Sequence, residues 1–253
     1  MALIKFRDIT VAYGKNTILK NINLEIQQGE ITTLLGPNGS GKTTLMSTLN
    51  GLIKPVSGNI TVGDKDILKM KPKELAKIVA TVPQFHNASF DFKVFDMVLS
   101  GRSPYIEYMP KQSDREKAMY AIKRVGIEYL KDKEYTKISG GERQLVMIAR
   151  AIAQESKIIV LDEPATYLDL KNQIKVLNLI KEINEEKGTT CIMTLHEPNY
   201  ALTYSDKIVL VYKGEVRLGN PEEIVNRENM KAVYEISCDI LEHKKYKYVL
   251  PEY

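Results

Sequence analysis

A glycine-rich segment that follows a short apolar strand is the feature that most constrains this chain. Residues 31–35 predict a buried strand, and residues 36–43 read Gly-Pro-Asn-Gly-Ser-Gly-Lys-Thr before a predicted helix. In a phosphate-binding loop, this order lets backbone N–H groups and the helix N-terminus surround phosphate oxygens. Lys42 adds a positive charge there and Thr43 adds a hydroxyl for Mg²⁺. An ordinary glycine-rich turn would match the pattern by chance in roughly 1% of chains of this length.

The overall composition fits a globular protein with a packed interior, because 43% of the 253 residues are hydrophobic. No run approaches the roughly 18 apolar residues of a membrane span. We therefore expect the chain on the cytoplasmic face of the membrane, peripheral and held there by partners. The 36 basic and 32 acidic residues are interspersed, which disfavours nucleic acid as a partner. Cys191 and Cys238 lack metal-ligand spacing and imply no disulfide framework.

Strand patterns occur at both ends of the chain and helical patterns dominate its middle. Predicted strands lie at residues 3–11, 22–26, 31–35, 78–82, 158–161, 190–194, 207–211 and 215–218, and residues 57–67 predict a strand pair around Gly63 and Asp64. Predicted helices lie at residues 44–50, 72–77, 94–100, 114–125, 142–154, 171–186 and 198–203. This order predicts an α/β fold with a mainly parallel central sheet, an N-terminal antiparallel β-layer and an inserted helical subdomain. We expect a core of residues 1–84 and 158–253, and a helical insert of residues 85–157.

Two adjacent carboxylates follow the predicted strand 158–161. Acidic residues often end a strand, so Asp162 and Glu163 alone would be weak evidence of function. In a chain that also has a phosphate loop, the two carboxylates indicate a site for Mg²⁺ and for water activation. A carboxylate at this strand end can hold the Mg²⁺ shell, which suits Asp162, and Glu163 is then placed to activate water.

The segment Ser-Gly-Gly-Glu-Arg-Gln at residues 139–144 precedes a strongly helical pattern. Ser139 and Glu142 have the spacing of a capping box, which is the purely structural interpretation. Gly140 and Gly141 would leave the helix N-terminus free of side chains, so that a γ-phosphate could approach its N–H donors. The chain already has one phosphate loop. We therefore expect the serine-glycine segment to meet ATP bound by a second copy of the chain.

These motifs, in this order, resemble the nucleotide-binding domain of ABC transporters over essentially the whole chain. The elements that carry the resemblance are Tyr13 as the aromatic residue that stacks on adenine, residues 36–43 as Walker A, Gln84 as the Q-loop glutamine, residues 139–144 as the signature, Asp162 and Glu163 as Walker B with its adjacent base, residues 168–169 as the D-loop, and His196 as the switch histidine. The resemblance implies a P-loop NTPase of ABC type that hydrolyses ATP with Mg²⁺ as a homodimer around two ATP molecules.

The resemblance also assigns a role to each functional residue. The expected catalytic residues are Glu163, His196, Gln84 and Lys42. The expected nucleotide-binding residues are Tyr13, Gly36, Pro37, Asn38, Gly39, Ser40, Gly41, Lys42, Thr43, Thr44, Ser139, Gly140, Gly141, Glu142 and Asp169. The expected metal ligands are Thr43, Gln84 and Asp162.

Several of these residues have simpler interpretations when taken singly. Tyr13 could be a packing residue, Gln84 a loop residue and His196 a half-buried histidine. The sequence also departs from the family pattern at two positions. Glu142 replaces a common Gln but keeps the capping geometry, whereas Glu197 replaces a common Asp and leaves the support of His196 open.

The segment Val-Leu-Ser-Gly-Arg-Ser-Pro-Tyr at residues 98–105 resembles the subgroup that serves importers of iron-siderophores, haem and cobalamin. Gly101 and Pro104 are expected to end the helix 94–100 and to place Arg102 and Tyr105 on a loop; a solvent-exposed helix stop is the simpler interpretation. The implied partners are two transmembrane permease subunits and, indirectly, a substrate-binding protein.

Two other classes of protein share part of this pattern. A non-transport ABC ATPase, acting in iron-sulfur assembly or on nucleic acid, would carry all the nucleotide motifs. The mixed charge, the single cassette and the segment 98–105 disfavour it. A small-molecule P-loop kinase would need an acceptor pocket and a lid but no serine-glycine signature.

Overall fold

The computed structural model describes residues 2–84, 91–166, 168–244 and 246–252. Residues 85–90, at the start of the predicted helical insert, lie outside the described residues. In chain order the strands and helices are β1 (Ala2–Tyr13), β2 (Asn16–Gln27), β3 (Ile31–Leu35), α1 (Lys42–Leu49), β4 (Ser57–Val62), β5 (Lys65–Asp66), α2 (Pro72–Leu75), β6 (Val79–Val82), α3 (Val94–Leu99), α4 (Gln112–Val125), α5 (Gly140–Gln154), β7 (Ile158–Leu161), α6 (Leu170–Lys187), β8 (Thr190–Thr194), α7 (Pro198–Tyr204), β9 (Lys207–Tyr212), β10 (Glu215–Gly219), α8 (Pro221–Ile224), α9 (Arg227–Tyr234), β11 (Cys238–His243) and β12 (Tyr246–Pro251).

The central sheet is mainly parallel, as the sequence predicts. Its strand order is β10-β9-β3-β8-β7-β6, and only the pairing of β10 with β9 is antiparallel. Every residue of β3, β7 and β8 is buried, because the antiparallel β-layer and α1 cover one face of the sheet and helices cover the other. The carboxyl ends of these three strands lie at one edge, which is where ligands bind in open α/β sheets.

The predicted antiparallel β-layer is also present, as a sheet with the order β2-β1-β4-β5. Strand β2 alternates buried and exposed residues, with Ile22, Leu24 and Ile26 buried, because one face packs against the core and the other faces solvent. This apolar face joins a cluster that includes Leu45 and Leu49 of α1. The layer therefore supports the helix that follows the phosphate loop.

Three helices, α3, α4 and α5, occupy the middle of the chain. Their apolar faces form one cluster that includes Val98, Ile122 and Val146, all 0% exposed. The long helix α5 also reaches the core through the Gln154 side chain, which donates a hydrogen bond to the carbonyl of Val79 at 3.0 Å. The C-terminal end of α5 is therefore tied to β6 of the central sheet.

The expectation that Arg102 lies on a loop is wrong. Arg102 belongs to a 3-10 turn (Ser100–Arg102) and is 4% exposed. Its Nε lies 3.1 Å from Oδ1 of Asp114, and its Nη1 donates to the carbonyl of Ala153 at 2.9 Å. Gly101 explains the difference: a Cβ there would lie 2.3 Å from the carbonyl oxygen of Arg150. The missing side chain lets the turn press against α5 and carries Arg102 inward.

Four elements after residue 220, α8, α9, β11 and β12, were not predicted from the sequence. The hairpin of β11 and β12 packs on α7, where the Asn199 side chain bonds the backbone of Val249 through both its oxygen and its nitrogen. Helix α9 is capped by Asn226 and buries Met230 and Val233. These elements bring the C-terminal part of the chain against the central sheet.

Candidate functional site

The phosphate loop (residues 36–43) leaves the carboxyl end of β3 and enters α1. Gly36 has φ +149°, and a Cβ on it would lie 2.2 Å from the carbonyl oxygen of Val211, so only glycine fits. Lys42 folds back over the loop, with Nζ donating to the carbonyls of Gly36 at 2.8 Å and Pro37 at 3.0 Å. Burial lowers the pKa of Lys42, while the charges of Glu163 and Asp162 oppose that shift. A buried ammonium with incomplete charge compensation would bind an anion well.

The two carboxylates predicted at the end of β7 are held by a threonine of the next strand. The Thr194 hydroxyl donates to Oδ1 of Asp162 at 2.8 Å and accepts from the backbone N–H of Glu163 at 2.7 Å. Glu163 has φ +50°, a left-handed conformation that a non-glycine residue adopts only under constraint. Strained backbone conformations of this kind are concentrated at functional sites.

The Glu163 side chain lies between two of the other predicted catalytic residues, Gln84 and His196. Gln84 donates from Nε2 to Oε2 of Glu163 at 2.6 Å. His196 places Nε2 at 2.6 Å from Oε1 of the same carboxylate. The Glu163 side chain is 11% exposed and that of His196 is 37% exposed, so the group lies at a surface that small molecules can reach.

A cleft of about 570 Å³ joins these side chains to the phosphate loop. We call it the phosphate cleft. Its lining residues are Ile18, Asn38, Gly39, Gly41, Lys42, Thr43, Thr44, Gln84, Glu163, Thr166 and His196. Tyr13 ends β1 with 53% of its surface exposed, and Ile18 of β2 rather than Tyr13 is part of the lining. Adenine stacking on Tyr13 stays a prediction.

The oxygen donors near Asp162 fit Mg²⁺. Asp162 is 8% exposed beside the phosphate loop, and the predicted ligands Thr43 and Gln84 line the cleft. Within the described residues, no group of three or more His, Cys, Asp and Glu side chains could hold a metal ion alone. Mg²⁺ is commonly bound by one or two carboxylates together with substrate phosphates, so this sparse oxygen set matches its requirements.

The signature segment (residues 139–144) begins α5 with the predicted capping box. The Glu142 N–H donates to Oγ of Ser139 at 3.2 Å, and the Ser139 N–H donates to Oε2 of Glu142 at 2.9 Å. The hydrogen bond from the Ser139 backbone lowers the pKa of Glu142, although its partial burial opposes that shift. A Cβ on Gly140 would meet nothing within 4 Å. The N-terminus of α5 is thus capped but open to an approaching group.

The signature segment opens on a cleft of its own, of about 790 Å³. We call it the signature cleft. Its lining residues are Gln84, Gly126, Tyr129, Tyr135, Ser139, Gly140, Gly141, Glu142, Arg143, Gln144, Leu145, Met147, Leu168, Asp169, Lys171, Asn172 and Lys175. Asp169 caps α6 there, with Oδ1 accepting from the Asn172 N–H at 2.8 Å. Among the described residues, Gln84 alone lines both clefts, and Ser139, Gly140 and Gly141 are not part of the lining of the phosphate cleft.

Comparison with known proteins decides the family. The model of the ABC transporter family matches residues 19–166. The petrobactin import ATP-binding protein FpuD of Bacillus anthracis is 37% identical over 92% of this chain and 86% of its own length. The ferric enterobactin transport ATP-binding protein FepC of Escherichia coli is 35% identical over 96% of this chain and 90% of its own length. The chain belongs to the ABC transporter family.

Solved structures of ABC transporters share the fold. A transporter assigned to the metal-chelate type, in an inward-facing conformation, has a TM-score of 0.87 and 32% identity over 100% of this chain and 98% of its own. The ATP-binding cassette MJ0796, in a dimer bound to ADP and phosphate, has a TM-score of 0.78 and 30% identity over 87% and 99% of the two chains. The ATPase activity and nucleotide binding expected from the sequence are those of this family.

Two residues of this ABC ATPase contact its site and escaped the sequence analysis. Thr194 holds Asp162 and Glu163, and the signal for it was a threonine at the end of an apolar strand, two residues before His196. Tyr234 accepts a hydrogen bond from the Gly36 N–H at 2.9 Å, and no pattern in the sequence indicated that contact. Within the described residues, none of the helices combines the length and apolar character that crossing a membrane would need.

Proposed function

We propose that this chain is the ATP-hydrolysing subunit of an importer of metal chelates of the iron-siderophore, haem or cobalamin class. The observation that carries the proposal is the placement of Glu163 between Gln84 and His196, at 2.6 Å from each, on the lining of the cleft that also holds Lys42. The functions of FpuD and FepC, petrobactin import and ferric enterobactin transport, support the choice of cargo.

Nucleotide binding rests on the phosphate loop. Backbone N–H groups of the loop and the N-terminus of α1 would surround the phosphates, together with Lys42 and the Thr44 hydroxyl. An ammonium has three N–H donors, and two of those of Lys42 bond loop carbonyls, so one remains for phosphate. Asp162, Thr43 and Gln84 would hold Mg²⁺, which supplies neutralisation of the phosphate charge when bound.

Water activation is assigned to Glu163, with His196 and Gln84 as its neighbours. Both carboxylate oxygens are occupied in the structure, one by Gln84 and one by His196. A water molecule that gives its proton to Glu163 must therefore displace or share one of these contacts. The hydrogen bond to Thr194 keeps the backbone of Glu163 fixed while the Glu163 side chain reorients. General-base contributions of this kind are about 10²- to 10⁴-fold in rate.

The partner that completes the site is a second copy of the chain. Ser139, Gly140 and Gly141 line the signature cleft and not the phosphate cleft. A head-to-tail pair would place each signature segment on the ATP held by the other copy, so that two ATP molecules are enclosed. The helix dipole of α5 and its free N–H groups would then meet the γ-phosphate. The dimeric cassette among the similar structures supports this arrangement.

The remaining partners follow from the transport role. We expect two permease subunits, with the chain at the cytoplasmic face of the membrane, and a substrate-binding protein that contacts the permease. The insert of residues 85–157 would transmit motion of the core of residues 1–84 and 158–253 to the permease. Nucleic acid is not expected among the partners.

Reconstitution tests this function. The chain is captured from detergent-solubilised membranes of its source, and the associated integral membrane protein is placed in liposomes with its binding protein. ATP hydrolysis should increase when the binding protein carries a ferric siderophore, haem or cobalamin. Co-purification of RNA, DNA or iron-sulfur assembly proteins without a polytopic membrane protein would instead favour a non-transport ABC ATPase.

A further inference from the structure

A tyrosine from the C-terminal part of the chain contacts the first glycine of the phosphate loop. The Tyr234 hydroxyl accepts a hydrogen bond from the Gly36 N–H at 2.9 Å, across 198 residues of sequence. Gly36 directly follows the last residue of β3 and is itself buried. A buried backbone N–H without an acceptor destabilises the folded state, so the Tyr234 hydroxyl stabilises the fold by accepting this hydrogen bond.

Helix α9 holds Tyr234 in place. The helix begins at its Asn226 cap, whose side chain accepts from the Asn229 N–H at 2.8 Å, and it buries Met230 and Val233 against the core. Tyr234 follows Met230 by four residues and so shares its buried face. Burial raises the pKa of Tyr234 to about 12, so its phenol stays neutral over the working range of pH.

The contact continues to the ammonium of Lys42. Gly36 is bonded at both of its backbone polar groups: its N–H donates to Tyr234, and its carbonyl accepts from Nζ of Lys42 at 2.8 Å. Close packing against the carbonyl of Val211 leaves no room for a side chain at Gly36. The tyrosine, the glycine and the lysine therefore form a continuous chain of contacts from α9 to the phosphate cleft.

We propose that Tyr234 is a positioning residue for nucleotide binding, which acts by fixing Gly36 and, through the Gly36 carbonyl, the ammonium of Lys42. This inference rests on the proposed role of the phosphate loop in binding ATP. When nucleotide draws Lys42 toward phosphate, the hydrogen bond that Gly36 donates to Tyr234 still holds Gly36 in place. The C-terminal helix thereby contributes to nucleotide affinity without touching the nucleotide.

The variant Tyr234→Phe removes only the hydroxyl and keeps the packed ring. Titration calorimetry with ADP on the isolated chain should show a dissociation constant raised by about two- to tenfold, the effect of one net hydrogen bond. The rate at saturating ATP should stay within about twofold, since Glu163 and His196 are unchanged. Tyr204→Phe is the matched control, because Tyr204 is a partly buried tyrosine of α7 that packs edge-on against Tyr200; it should leave the ADP affinity unchanged.

A second measurement examines the bond itself in the wild-type protein. Amide exchange should be slow at Gly36 and fast at the exposed Gly39 in the same loop. Equal exchange at the two glycines, or an unchanged ADP affinity in Tyr234→Phe with a lowered melting temperature, would overturn the inference and leave the tyrosine a packing residue. If the wild-type chain bound no ADP at all, that result would contradict the proposed function itself, and the role of Tyr234 would be contradicted together with it.

Discussion

The phosphate cleft and the signature cleft differ in how far one chain can complete them. In the phosphate cleft, the charged and polar side chains already have partners within the chain: Lys42 donates to carbonyls of its own loop, and Glu163 contacts Gln84 and His196. In the signature cleft, the Ser139 and Glu142 side chains cap their own helix, and the surface at Gly140 faces open space.

This difference has a simple chemical meaning. In the proposed function, the phosphate cleft holds the groups that bind phosphate and activate water, whereas the signature cleft offers a capped helix N-terminus that is open at Gly140. The first would then be the catalytic half of an ATP site, and the second would be the stabilising half of the site on the other copy. Substitutions in the two regions should therefore impair different properties of the protein.

Glu163→Gln should have the largest effect, and it should affect the rate alone. The amide cannot accept the proton of water, so ATP turnover should fall by about 10²- to 10⁴-fold while ADP binding is kept. Steady-state phosphate release and calorimetry measure the two quantities. Glu197→Gln, at an exposed carboxylate just after His196, should leave turnover almost unchanged. Turnover near the wild-type rate in Glu163→Gln would remove its role as base.

Arg102→Met should destabilise the packing of helices α3, α4 and α5 and leave nucleotide binding in the phosphate cleft unchanged. It leaves Asp114 buried without its ion-pair partner, which costs about 3–5 kcal/mol in the free energy of unfolding. Urea unfolding measures the loss, and calorimetry should show normal ADP affinity in the folded protein. The exposed Arg115→Met on the same helix α4 is the control and should change stability little. A loss of ADP affinity in Arg102→Met would show that the two regions are not independent.

Thr194→Val should slow turnover within the phosphate cleft by about tenfold. It removes the hydroxyl that bonds both Asp162 and the Glu163 N–H, and an unsatisfied buried group costs about 1–3 kcal/mol. Thr190→Val, at the other end of β8, also loses a buried hydrogen bond, to the Gly29 N–H, but lies away from the carboxylates. The control should lose stability without loss of turnover. Equal turnover in both variants would leave Thr194 with a structural role only.

Glu142→Gln should give the smallest effect, and one that depends on pH. The pKa of Glu142 is lowered below its ordinary 4.5 in the folded chain, so its charge stabilises the fold above that value. The contribution should disappear as pH falls through the lowered pKa. Unfolding measured near neutral pH should show a loss of at most about 1 kcal/mol for an altered cap. At a pH well below 4.5 the variant and the wild type should coincide; a difference that grew on acidification would contradict the assignment.

The parts of the site that could be predicted from the sequence are those formed by residues that lie close together in the sequence. Residues 36–43, Asp162 with Glu163, and the capping box of Ser139 with Glu142 are local patterns, and local hydrogen bonds determine their geometry. The parallel sheet followed from the alternation of strands and helices. The assigned roles of the site residues and the division into core and insert stay predictions.

Contacts between distant segments could not be predicted in this way. Arg102 looked like a loop residue, because only the packing of Gly101 against Arg150 turns it inward. Thr194 and Tyr234 reach the site from other elements, and a single sequence does not encode such pairings locally. The C-terminal elements were missed for a related reason: α8 and α9 are short, and in the part of the chain that the structure describes β11 and β12 pair only with each other.

The central claim is that two copies complete each ATP site, and one measurement tests it most directly. Light scattering on Glu163→Gln, which should trap bound ATP, should give the mass of one chain without nucleotide and of two chains with ATP and Mg²⁺. Adding Ser139→Arg to the same protein should abolish the pair and preserve ATP binding, because a bulky cation then blocks the open helix end. A protein that stays single at saturating ATP, or that pairs equally well with the arginine in place, would contradict the account.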